Sequence, residues 1–208
     1  MSQTALRPSR MPTPPSRESL LAEIGKLSAQ DLIGRYRWGV ENFDRRVFSL
    51  TDEQLDMAWL PDANVGQWPI RVLLGHLADA ELAFTFRIRK AIGEERPMVE
   101  PWDENAFIDA GLYATGTPPI GGFVAVIYTM RTWLGEMLGH LTPAQWGRKV
   151  MHPVYGEVSV RQIVDTTTYH LERHAWFLNA KVERLLGPAC EDEVKPKGGC
   201  GPGCGCKG

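Results

Sequence analysis

The sequence predicts an all-α fold, a four-helix bundle built as a pseudo-two-fold repeat of one helix–loop–helix unit. Three observations carry this reading. Proline, which removes a backbone donor and clashes inside a helix, is absent from Ser16 to Leu60, Ile70 to Arg96, Ile120 to Thr142 and Val154 to Gly187. Each of these stretches places apolar residues three or four apart, as an amphipathic helix requires. No segment shows sustained period-two alternation bounded by hairpin turns.

The first helix opens at Ser28-Ala-Gln-Asp31, an acceptor side chain three residues before an acid. Its stripe is Leu32, Tyr36, Val40, Phe43, Val47 and Leu50, and Leu20, Leu21, Ile24 and Leu27 predict a short extra helix before it. The second begins with Pro69 at a first helical position and carries Ile70, Leu73, Leu74, Leu77, Phe84, Ile88 and Ala91. The third has the cleanest period, in Ile120, Phe123, Val124, Ile127, Met130, Leu134, Met137 and Leu141. The fourth starts near Ser159, runs through Val160, Ile163, Val164, Thr167, Leu171, Ala175, Leu178, Val182 and Leu185, and stops at Gly187-Pro188. Four such helices of about 20 residues or more pack as a bundle.

The repeat lies in the links. Leu50-Thr-Asp-Glu-Gln-Leu55 precedes Gly66-Gln-Trp-Pro-Ile-Arg71, and Leu141-Thr-Pro-Ala-Gln-Trp146 precedes Gly156-Glu-Val-Ser-Val-Arg161. The bundle is expected over residues 19–188. Residues 1–18 read as a disordered leader, with Arg7, Arg10 and Arg17, four prolines and neither the apolar core of a secretory signal nor an amphipathic transit helix. Residues 189–208 form a glycine- and cysteine-rich tail.

Composition narrows the function classes. Hydrophobic content of 43% and charged content of 23% are those of an ordinary globular chain. With 23 basic against 25 acidic residues and no basic stripe, nucleic acid is not an expected partner. No apolar run approaches the roughly 18–20 residues that span a bilayer, so a membrane is not expected either. All four cysteines (Cys190, Cys200, Cys204, Cys206) lie at the C-terminal end, so the body reads as built for a reducing cytoplasm. Glycines around the tail thiols forbid a packed core. The CxxxCxC spacing could wrap a soft metal for delivery to the histidine site described below, or serve no function.

The candidate chemistry rests on histidine. His170 and His174 are four residues apart, which stacks them on one face of the fourth helix. At about 100° per residue they sit roughly 100° and 60° from Leu171, while His76 sits roughly 100° from Leu77 in the same rotational sense. Repeat-related helices with histidine on the same flank can point those flanks at a shared cleft. His76, His170 and His174 are therefore the candidate metal ligands, a three-imidazole set that leaves a divalent ion its charge and an open position. Zinc is the first expectation, with nickel, iron, manganese or copper also suited to such ligands. Asp79, three residues after His76, could orient an imidazole or act as a base, or simply be a solvated acid on the helix face. Capping or turn roles are expected for His140 and His152. The aromatics Trp102, Phe107 and Tyr113 of the long loop from Glu94 to Pro119 could wall a substrate pocket or cover the bundle end.

Gln67-Trp-Pro-Ile-Arg-Val-Leu-Leu-Gly-His-Leu-Ala-Asp-Ala-Glu81, together with Met151-His-Pro-Val-Tyr-Gly-Glu-Val-Ser-Val-Arg161 and His170-Leu-Glu-Arg-His174, resembles the DinB-like (damage-inducible) metal-binding four-helix family. The stretch from Arg87 to Pro97 with Asp103-Glu104 adds to the likeness, which spans about residues 28–186. The resemblance implies that His76, His170 and His174 match the family's metal ligands. It also implies a homodimer as an expected assembly, and a small-molecule thiol or electrophile as partner. One departure is Arg173, where many relatives carry another histidine. A water held by such a metal falls to a pKa of about 7 and a thiol is deprotonated. Both chemistries use the same ligands; the resemblance implies thiol S-transfer as the first expectation, with metal-dependent hydrolysis and a non-catalytic metal-binding stress protein as alternatives.

Overall fold

A computed structural model describes residues 14–57, 67–114 and 118–189. Three long helices dominate: α4 (Ile70–Gly93), α6 (Ile120–Leu138) and α8 (Val160–Leu186). The fourth side is made by α1 (Arg17–Ile24) and α2 (Ala29–Arg37), followed by 3₁₀ turns at Gly39–Asn42 and Arg45–Ser49. Short helices α3 (Asp52–Leu55), α5 (Glu104–Asp109) and α7 (Pro143–Trp146) lie in the links. Helix α4 packs against both α6 and α8, and α2 crosses the same two. None of the described helices is long and apolar enough to cross a membrane.

The repeat reappears as paired caps. Thr51 and Gln54 form a capping box on α3, and Thr142 and Gln145 form the same box on α7. A third box, Ser159 with Gln162, starts α8. Arg71 and Arg161 occupy matching second positions of α4 and α8 but find different partners. Arg71 is buried and donates to Asp52, Asp56 and the Pro118 carbonyl. Arg161 donates to Asp165 and the Ile24 carbonyl.

Two expectations are corrected. The stripe from Leu32 to Leu50 is not one helix, since α2 ends at Arg37. The Tyr36 carbonyl, which a continuing helix would offer to residue 40, accepts instead from Arg131 Nη1 at 2.7 Å. At the break, a Cβ on Gly39 would lie 2.6 Å from that same Nη1 and 2.9 Å from Leu171 Cδ2. The apolar spacing survives because 3₁₀ turns still bury Phe43, Val47 and Leu50. The second correction is a hairpin, β1 (Lys149–His152) with β2 (Gly156–Ser159), paired in register Lys149↔Ser159 to His152↔Gly156. Four-residue strands are too short to display a period. Gly156 closes the turn at φ +69°. The long loop joins this hairpin through Met151 N–H to Pro97 O (2.8 Å) and Val99 N–H to Met151 O (3.0 Å).

At the centre of the bundle lies a fully buried ion pair. Arg131 Nη2 and Nε reach Glu81 Oε1 at 2.6 and 2.8 Å. Glu81 also accepts from the Tyr36 hydroxyl, and Arg131 Nη2 donates to the Thr167 carbonyl at 2.8 Å. This network ties α2, α4, α6 and α8 together. The expected disordered leader falls mostly, and the cysteine tail from Cys190 onward entirely, outside the described residues.

Candidate metal centre

Helices α4 and α8 bring His76, His170 and His174 together. One nitrogen from each lies within 4.8 Å of the others, and His76 Nε2 is 3.1 Å from His170 Nε2. The ring centroids are 5.0 Å apart for His76–His170 and for His76–His174, and 4.5 Å for His170–His174. His76 and His174 are buried, whereas His170 is half-buried. The Nδ1 atoms of all three are buried without a hydrogen-bond partner among the described residues. Such groups are rare in folded proteins and ask for an explanation.

All three rings stay neutral. Burial lowers His76 to about 4. Burial first, then the charge repulsion that a protonated ring would meet from His76, Arg173 and Lys181, lowers His174 to about 3. His170 is held well below its ordinary value by burial first, then by His174, His76 and Arg131. Neutral imidazoles keep a lone pair, so the donor set fits a divalent first-row metal.

Aromatic rings fix these imidazoles in place. Trp68 meets His76 edge-on at 5.0 Å and lies parallel to His174 at 6.1 Å. Trp102 stacks on His76 at 5.3 Å and is itself braced by Phe107 at 6.0 Å. Phe84 meets His170 at 5.9 Å. Trp102 and Phe107 thus wall the site, while Tyr113 is buried against Gly75 and Phe123. Trp68 and Phe84 were not singled out as wall residues by sequence. The signal for Trp68 was its place in the repeat, immediately before α4. Lys181, also missed, donates to the Trp68 carbonyl at 2.6 Å, and burial lowers its ammonium to about 7.

Asp79 does not hydrogen-bond to an imidazole. Its Oδ2 accepts from the Tyr113 hydroxyl at 2.7 Å. His152 serves its turn, with Nδ1 accepting from Val154 N–H at 3.2 Å. His140 follows the end of α6 and is exposed. Arg173 lies over the Phe177 ring at 5.5 Å, and Glu172 pairs with Arg35. Beside His170 opens a cleft of about 730 Å³, lined also by Phe84, Arg87, Trp102, Glu104 and the hairpin.

Known proteins show the same arrangement of the chain. OB0782 of Oceanobacillus iheyensis is 28% identical over 138 residues, covering 66% of this chain and 76% of that protein. YfiT of Bacillus subtilis is 27% identical over 126 residues, covering 60% of this chain and 67% of its own. Both bear the provisional designation metal-dependent hydrolase. The solved structure of YfiT, described as a four-helix bundle of unusual topology, superposes with a TM-score of 0.67 at 21% identity. That superposition covers 91% of this chain and 97% of YfiT, and it supports the fold. The sequence profile of the DinB superfamily matches residues 35–178, a span that takes in α4, α6, the hairpin and all three clustered histidines, and the chain belongs to that superfamily.

Proposed function

We propose that the chain is a metal-dependent enzyme in which His76, His170 and His174 hold one divalent metal, zinc first, beside the substrate cleft. A single observation carries this reading: three neutral imidazoles converge within 4.8 Å of one another. Bound there, a divalent metal supplies a Lewis acid that lowers the pKa of a thiol or a water. The chain's own residues do the rest. Trp68 and Trp102 fix the ring of His76, and Trp68 also lies along His174. These apolar walls keep bulk water from the buried side of the cluster. Of the three histidines only His170 lines the cleft, so a substrate approaches from its side.

The nucleophile in this reading is first a low-molecular-weight thiol, transferred to an electrophilic carbon. Among the described residues no carboxylate joins the histidine cluster, and Asp79 is occupied by Tyr113. A water nucleophile is commonly paired with such a base, whereas a thiol ionises more readily by itself. Hydrolysis is the second reading, favoured by the designation that the relatives bear.

The test is elemental analysis of purified protein beside His76→Ala, His170→Ala and His174→Ala. The wild type should hold about one metal per chain, and each variant should lose affinity by tenfold or more. The loaded protein is then offered thiols with an electrophile, and in parallel simple esters and amides. Equal metal content in wild type and variants would overturn the site. Bound metal with neither reaction would overturn the enzyme and leave a metal-binding protein.

A further inference from the structure

The cleft beside His170 contains two charges without an ionic partner among the described residues. Of its acidic and basic lining groups, Glu157 is paired with Lys149 at 2.6 Å and Asp165 with Arg161 at 2.9 Å. Arg17 is exposed to solvent. Arg87 and Glu104 are different. Both are half-buried, both line the cleft, and neither forms an ion pair with the other or with any described residue. Arg87 gives one N–H to the Glu100 carbonyl at 3.0 Å, and its Cζ lies 5.8 Å from the Phe84 ring. Most of its five donors therefore have no acceptor among the described residues. The same Phe84 ring stands 5.9 Å from His170, and Arg87 and His170 line the same cleft. Burial pulls Arg87 below its ordinary value. Burial, then Asp103, pushes the Glu104 carboxyl up. Both side chains thus lose part of their hydration at the cleft wall, and the Tyr155 ring offsets this for Arg87 only in part.

We propose that Arg87 and Glu104 form a recognition subsite for a small zwitterion, Arg87 taking the ligand's carboxylate and Glu104 its ammonium group. A guanidinium pairs with a planar carboxylate through parallel N–H bonds, and a lone carboxylate accepts readily from an ammonium. A cleft of about 730 Å³ has the size of a small-molecule site and accommodates an amino-acid or short-peptide ligand. That this ligand is the substrate rests on the enzymatic reading above. Its binding at Arg87 and Glu104 does not, since neither residue is a metal ligand.

The experiment uses the full chain, with and without zinc, and four forms of alanylglycine: uncapped, N-acetylated, C-terminally amidated, and capped at both ends. Binding is followed by tryptophan fluorescence, since Trp102 lines the cleft, and by calorimetry. The uncapped dipeptide should bind tightest, and each cap should weaken it about tenfold, the worth of one charge-assisted contact. Arg87→Gln should abolish the effect of amidation alone, Glu104→Gln the effect of acetylation alone, and Arg87→Lys should restore part of the first. Zinc should be retained by all three variants. Caps that change affinity less than twofold in the wild type would overturn the subsite, and this arm needs no variant to fold. So would an equal loss for all four dipeptides in Arg87→Gln and Glu104→Gln. If charge selection is seen but zinc does not bind, the metal reading fails and the subsite stands.

Discussion

Replacing Arg131 by methionine is the sharpest test of how the bundle is held in register. The substitution removes two bonds to Glu81, at 2.6 and 2.8 Å, and those to the Tyr36 and Thr167 carbonyls, at 2.7 and 2.8 Å. Glu81 has no exposure, so its carboxylate cannot turn to water. It keeps only the Tyr36 hydroxyl at 3.2 Å and the Thr167 hydroxyl at 3.3 Å. Leaving one partner of a buried ion pair alone costs about 3–5 kcal/mol. For a chain of this size that lowers Tm by about 6–20 °C. The double variant Arg131→Met/Glu81→Leu removes both charges and should recover about half of the loss, the rest reflecting the Tyr36 and Thr167 groups left without partners. Urea unfolding of the metal-free protein, followed by far-ultraviolet circular dichroism, measures both. A cost under about 1 kcal/mol for the single variant, or a double variant no better than the single, would refute the account.

Further outcomes follow from the site and its packing. In the metal-free protein His76 titrates near 4 when folded and His174 near 3, against about 6.5 unfolded. The unfolded chain then binds protons that the folded chain refuses, so stability is full above pH 6.5 and falls below it. His76 alone accounts for a loss of order 2 kcal/mol by pH 5, and a flat unfolding free energy between pH 7 and 5 would contradict this. Gly75→Ala places a Cβ 2.4 Å from Tyr113 Cδ1, an overpacking cost of about 1–3 kcal/mol, measurable by calorimetry and accompanied by loss of the Tyr113–Asp79 bond. Gly34→Ala, in the middle of α2 with nothing within 4 Å of the new Cβ, should instead stabilise by about 0.5–1 kcal/mol. If both alanines shift Tm in the same direction, the difference in packing at these two sites is wrong.

Much of the architecture was legible because its signals are local. Proline placement marked the helical stretches, and the Thr51–Gln54 and Thr142–Gln145 boxes lie within four consecutive residues. The three histidines could be grouped because a fixed rotation per residue places them on related flanks of two rods. Other features were hidden. Four-residue strands gave the hairpin no period, and the first helix broke despite an intact apolar stripe. Phe84 gave no sign of its role beside the cluster, and Trp68 only its place in the repeat, because ring-to-ring contact depends on how separate segments dock.

The chain by itself determined which segments coil, where they begin, and which imidazoles could share an ion, since those properties depend on neighbours within a turn or two. Tertiary packing decided the rest. Arg131 captures the Tyr36 carbonyl from 95 positions away and ends α2 there. The loop carrying Trp102 lies on His76 and is tied to the hairpin through Met151. Such choices are made by groups distant in sequence competing for the same buried donor, acceptor or surface, and that competition exists only after the helices have met.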